Sequence, residues 1–168
     1  MARQQEQDEA YRASIEQYYE NTAGVQDAID ALSVNIDTVA GTQADAQKRT
    51  LQAEQRAARD RSRYNVNLTA AERNEMGKLN QRALQANVAG AGNVARRSDQ
   101  ELNLFRLQGL DSIRTALMDV GQTGLSSLGT LATSRYNQYQ QMRGKAKQQK
   151  SGFFGKIAGG LGSLLGSI

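Results

Sequence analysis

Apolar residues first recur along this chain at Tyr11, Ile15, Tyr18, Thr22, Val25, Ile29, Leu32, Ile36 and Val39, spaced alternately four and three. That is a heptad seam, with acids on the outer positions, and it predicts a helix over about 5–40 that packs against another helix. Thr22 is its weak member. Continued in the same register, the stripe thins to Gln43, Ala46, Thr50, Ala53 and Ala57, which suit only close helix contact. The seam serves either a bundle within one chain or pairing between subunits.

Further helices are expected at about 43–63, 70–89, 99–120 and 126–149. The first two are continuous if Gly41 is tolerated, since one glycine costs a helix only about 1 kcal/mol. Thr42 with Asp45, Thr69 with Glu72, and Ser98 with Glu101 each place a hydroxyl three residues before an acid, the spacing of a capping box. Gly41, the pair Gly90 and Gly92, and Gly121 sit where helices end in this scheme. Residues 64–68, Tyr64-Asn-Val-Asn-Leu68, alternate like a strand, but a lone short strand has no partner, so a bend is expected. The densest apolar surface lies on Leu102, Leu104, Phe105, Leu107, Leu110, Ile113, Leu117 and Val120, continued by Leu125, Leu128 and Leu131. It is expected at the centre of the fold or of an interface. The fold class is therefore all-α: elongated helices in a hairpin, bundle or coiled-coil assembly, ending in a Gly-rich apolar tail. Four segments follow: an acidic heptad helix at 1–42, polar Ala/Gln/Arg-rich helices at 43–98, an apolar helix with a basic extension at 99–150, and the tail at 151–168.

Composition narrows the chemistry. The 168 residues contain no Pro, Cys, His or Trp, with three Phe and six Tyr. Without His and Cys there is no Ser-His-Asp triad, no Cys-His pair, no ordinary zinc site and no disulfide framework. The carboxylate pairs Asp8 with Glu9 and Glu72 with Glu75 lie in polar helical stretches, where ordinary pKa values are expected. No phosphate loop is present, because the tail glycines lack the required Gly-Lys-Ser/Thr order and follow no strand. No catalytic, cofactor-binding or metal site is assigned, and the protein is read as a non-enzyme.

The net charge of +4 conceals a gradient. Residues 1–42 carry two Arg against eight acids, whereas residues 143–168 carry five bases and no acid. Such a distribution favours head-to-tail docking or approach to an anionic surface. Arg143, Lys145, Lys147 and Lys150 form the anionic-surface candidate, suited to lipid headgroups or phosphate. Arg49, Arg56, Arg59, Arg61 and Arg63 are diluted by Glu54 and Asp60, with Tyr64 alone nearby for stacking. They point to no sequence-specific nucleic-acid partner, only to incidental, non-specific contact with DNA.

The tail differs in kind. Six of its eighteen residues are Gly, and Lys156 is its only charge. Gly155 with Gly159, and Gly162 with Gly166, repeat the small-residue spacing that lets membrane helices touch. Phe153, Phe154, Ile157, Leu161, Leu164, Leu165 and Ile168 are the candidate membrane or docking residues. As a helix the segment reaches about 27 Å, just short of about 30 Å of hydrocarbon. Membrane insertion and docking onto a protein groove both remain open on this pattern. The polar, acidic N-terminus shows no signal peptide, so a chain made in the cytosol and delivered by another machine is expected.

This texture resembles the small internal virion proteins of T7-like podophages, the ejection or core proteins. They too are Ala- and Gln-rich, nearly free of Cys and built of long helices. The mid-chain stretch Arg82-Ala-Leu-Gln-Ala-Asn-Val-Ala-Gly-Ala-Gly-Asn-Val-Ala-Arg-Arg97 and the Gly/Ser-rich apolar end from Gly152 to Ile168 carry the likeness. The chain departs from the pattern in being short and in lacking an apolar Gly/Ala-rich N-terminus. The resemblance implies storage in the capsid interior near the portal, with portal or internal core proteins as neighbours. It further implies homo-oligomers, release ahead of the genome, and a channel in the host cell envelope. The alternative is a purely structural virion component, a scaffold or a portal or tail adaptor, whose tail docks on a partner protein. A pore-forming, toxin-like carrier is a third and weaker reading.

Overall fold

The structure is a computed structural model that describes the backbone of residues 2–119 and 124–165. The side chains of residues 2–11, 14, 15, 17, 18, 21 and 158–165 lie outside the description. The described residues form four helices: α1 (Ala2–Ser33), α2 (Val39–Arg63), α3 (Ala70–Met118) and α4 (Leu125–Leu165). No strand occurs among the described residues. The chain is all-α.

The helix ends differ from the sequence expectation in instructive ways. The seam does not run through one helix to Val39. Helix α1 stops at Ser33, Ile36 lies in the connection, and Val39 opens α2. At the stop, Ser33 Oγ donates to Ile29 O at 2.6 Å. The Arg106 guanidinium donates to the carbonyls of Leu32 and Ser33 at 2.9 and 3.0 Å. A cation on the last carbonyls also opposes the negative end of the helix dipole. Asp37 Oδ1 accepts the Val39 N–H at 3.2 Å and so starts α2 locally. Thr42 does not cap a helix; it sits inside α2, its hydroxyl donating to Thr38 O at 2.7 Å.

The Thr69–Glu72 box forms as expected. The Glu72 carboxylate accepts the Thr69 N–H and hydroxyl at 2.7 and 2.8 Å, and Thr69 Oγ1 accepts the Glu72 N–H at 3.3 Å. Before it, residues 64–69 turn the chain, with Asn65 at φ 49°, a left-handed conformation that Asn adopts at modest cost. The breaks expected near Gly90, Gly92 and Ser98 are absent: α3 is one helix of 49 residues. The segment after Lys150 is likewise the continuation of α4 as far as Leu165.

The chain divides into two compact units: residues 1–36 with 101–144, and residues 37–100 with 145–168. The first unit buries Val25, Ala28 and Leu32 of α1, Leu102 and Ile113 of α3, and Leu128, Ala132 and Tyr139 of α4. Leu32 packs where Gly109 has no side chain; a β-carbon there would meet Leu32 Cδ1 at 3.2 Å. The apolar stripe of residues 102–117 is buried along one face only, since Leu104, Leu107 and Leu117 are exposed.

The second unit buries small residues: Ala46, Ala91, Ala95, Thr42, Thr50 and Ser98. Small side chains let backbones approach, so contact replaces the area that large residues would bury. Thr50, fully buried, donates to Ala46 O at 2.9 Å and accepts from the Asn87 amide at 3.2 Å, which satisfies its hydroxyl.

Candidate functional site

The C-terminal part of α4 brings the chain's distinctive chemistry into the second unit. Phe154 and Ile157 are buried against Ala46 and Ala91, with Phe153, Ala53 and Ala83 packed around them. Two aromatic rings and a branched side chain rest on an alanine surface that only close helix approach provides. A β-carbon at Gly90 would lie 2.8 Å from the Phe153 ring, so the glycine in α3 makes room for it. The rings of Phe153 and Phe154 meet edge to face, centroids 6.2 Å apart. The Arg49 guanidinium stands 4.5 Å from the Phe154 centroid, on the cation–π side of the ring.

One turn before Phe153 lies a buried polar node. Asp99, at 5% exposure in the middle of α3, accepts the Thr38 N–H at 2.6 Å and the Thr38 hydroxyl at 2.9 Å. Lys150 Nζ reaches the same carboxylate at 3.2 Å and also donates to Thr38 Oγ1. The node thus ties the start of α2, the middle of α3 and the basic end of α4 together within one unit. Most of the attraction between Asp99 and Lys150 offsets the cost of removing them from water, so what such a pair fixes best is register.

Of the four basic candidates, Lys150 is engaged in this node, while Arg143, Lys145 and Lys147 are exposed. Of the seven tail candidates, Phe153 is half-buried, and Phe154 and Ile157 are buried; the side chains of Leu161, Leu164 and Leu165, and the whole of Ile168, lie outside the description. In the seam, Val25 and Leu32 are buried and Ile29, Ile36 and Val39 half-buried. Tyr11, Ile15 and Tyr18 lie outside the described side chains. Thr38, Asp99, Asn103 and Arg106 escape the sequence pattern altogether. A lone Asp beside a capping-type Ser carries no signal that its partners lie 61 residues upstream and 51 downstream.

No cluster of metal-ligating side chains occurs among the described residues. A shallow groove along α4, lined by Gly129, Thr130, Thr133, Asn137 and Gln141 among others, offers hydroxyls and amides and no titratable group. The pKa of Glu72 is lowered by its backbone and side-chain hydrogen bonds from Thr69, a cap rather than a catalytic environment. Among the described residues, no helix is long and apolar enough to cross a membrane.

Comparison with protein-family models, with curated proteins and with solved structures finds no match to this chain.

Proposed function

We propose that this chain is a non-enzymatic internal virion protein of the ejection class. In this reading it is held in the capsid interior near the portal, oligomerises, and helps form a channel across the host cell envelope for genome delivery. The observation that carries the reading is the stowed end of α4. Phe153, Phe154 and Ile157 are folded onto an alanine surface, with the Asp99–Lys150 node at their base. A storage form needs such an arrangement, because Phe153, Phe154 and Ile157 would otherwise face water. The exposed Arg143, Lys145 and Lys147 beside it suit approach to anionic headgroups once the segment is free. The pairing role of the α1 seam and the Gly-rich segment's membrane activity belong to this proposal. So does the assembly of long helices into a larger bundle.

The same burial of Phe154 and Ile157 favours a second reading. A segment that seats well on alanine-lined helices of its own chain suits a similar groove on a partner. The protein would then be a portal or tail adaptor, or a scaffold.

Quantifying the protein in particles before and after triggered DNA release separates these readings. An ejection protein leaves with the genome. An adaptor stays with the empty particle, and a scaffold is missing from mature particles; either result replaces the channel reading with the structural one.

A further inference from the structure

Helix α3 carries two heptad seams, and only one of them is covered. Leu102, Arg106, Gly109 and Ile113 face the interior of the first unit. Leu104, Leu107, Asp111, Arg114 and Met118 follow the spacing three, four, three, four, and all five are exposed. The second seam lies alternately two and one residues on from the first, about 150° around the helix, and so faces away from it. Leu104 is 60% exposed, Leu107 54% and Met118 76%, which is unusual for residues aligned along a single stripe. Asp111 and Arg114 stand between them, and their side chains form no ion pair with each other or with any other described residue.

The order of these residues is self-complementary when reversed. We propose that this face of α3 pairs with the same face of a second copy, antiparallel, about a two-fold axis between residues 112 and 113. That axis sets Leu107 against Met118 of the second copy, and Asp111 against Arg114. Each contact occurs twice, as an isologous interface requires. Two apolar pairs then flank two opposite charges, and the seam's alternating spacing suits the shallow crossing of a coiled coil. Parallel pairing in register fails by the same chemistry, since it opposes Asp111 to Asp111 and Arg114 to Arg114. This contact adds a face distinct from the α1 seam to the assembly reading above, and it stands or falls separately from it.

The chain has no cysteine, so engineered thiols report the geometry directly. Mixed under mild oxidation, the full-length variants Leu107→Cys and Met118→Cys should cross-link to each other. Each alone should cross-link poorly, because like positions sit about 16 Å apart along the antiparallel helices, far beyond disulfide reach. Adding Asp111→Arg to the first variant only should lower the mixed yield about tenfold. Adding Arg114→Asp to the second variant as well should restore it, since the disturbed charge pair is then re-formed with reversed sign while the other is unchanged. Circular dichroism of each exposed-site variant checks that helix content is retained. Self-linking of the Leu107→Cys chain as strong as the mixed reaction would overturn the proposal in favour of parallel pairing. A mixed yield indifferent to both charge changes, or no mixed product, would overturn it outright. Assembly through α1 alone gives that last result while light scattering still records an oligomer, which leaves the virion reading untouched.

Discussion

Asp99 and Lys150 meet at 3.2 Å across 51 residues of sequence, and the same carboxylate holds the backbone N–H of Thr38. Three helices of one unit therefore depend on one acid. Asp99→Ala removes the acceptor for Thr38 and leaves the Lys150 ammonium half-buried and unpaired. It should cost about 3 kcal/mol. Lys150→Met leaves Asp99 with both Thr38 donors and should cost about 1 kcal/mol. Urea unfolding of the two variants and their double checks the order. Equal losses for both single variants would mean that the charge pair, not the Thr38 contacts, dominates the node.

Leu32 is fully buried, whereas Ile29, its neighbour in the heptad, is only half-buried. Leu32→Ala should therefore cost about 3 kcal/mol through the cavity it leaves beside Gly109. Ile29→Ala should cost about 1 kcal/mol, in proportion to the smaller area withdrawn from water. Thermal melts resolve the difference. A reversed order would place the packed face of α1 one position away from the observed one.

Local chemistry is what could be read from the residues alone. The all-helical class, the bend at 64–68 and the Thr69–Glu72 cap all rest on neighbours within a few positions. The boundaries that differ are set by distant partners. The Asn103 side chain accepts from the Ile36 N–H at 3.1 Å and donates to Ile36 O at 2.9 Å. Asp99 takes up the Thr38 N–H, so residues 34–38 leave the helix with those backbone groups satisfied. No spacing within residues 30–40 announces partners more than sixty positions away. Gly90 and Gly92 mislead for the opposite reason: their cost in a helix is small, and the room at Gly90 is occupied by Phe153. The node at Asp99 was invisible for the same cause, although Lys150 and Phe154 were already marked by their composition.

Two glycines in α3 should respond oppositely to alanine. Nothing lies within 4 Å of a β-carbon at Gly77, so Gly77→Ala should stabilise the helix by about 0.5–1 kcal/mol. A β-carbon at Gly90 would stand 2.8 Å from the Phe153 ring, and Gly90→Ala should lose stability despite the same gain in propensity. If Gly90→Ala is as stabilising as Gly77→Ala, Phe153 has room to retreat and the close fit there is not selective.

The Thr69 cap has a pH signature. The pKa of Glu72 is depressed in the folded chain, first by its hydrogen bond from the Thr69 backbone and then by the one from the Thr69 hydroxyl. Its stabilising contribution is therefore full above the ordinary value of 4.5 and is lost as pH falls through the lower, folded value. Protection of the amides at the start of α3, taken relative to their intrinsic exchange rates at each pH, should fall over that acidic window. Glu72→Gln should flatten the change, and Thr69→Ala should weaken the helix start by about 1 kcal/mol at neutral pH. Unaltered pH dependence in Glu72→Gln would assign the window to another carboxylate.

The stowed end of α4 gives the ejection reading its sharpest test in a purified system. Deleting residues 158–168 removes Leu161, Leu164, Leu165 and Ile168 but keeps Phe153, Phe154 and Ile157 in the alanine-lined core. Each deleted side chain offers about 1.5–3 kcal/mol when fully withdrawn from water, against about 1 kcal/mol for each basic residue near an anionic surface. Binding to phosphatidylglycerol-containing vesicles should accordingly be lost in the deletion variant at every salt concentration. Neutralising Arg143, Lys145 and Lys147 should weaken it and reduce its salt dependence. Asp99→Asn should strengthen it, because that change loosens the base of the stowed segment without altering the segment or its basic flank. Flotation measures all three. If the deletion variant floats as well as the full chain, the segment is a protein-docking element, and the adaptor reading takes the place of the channel.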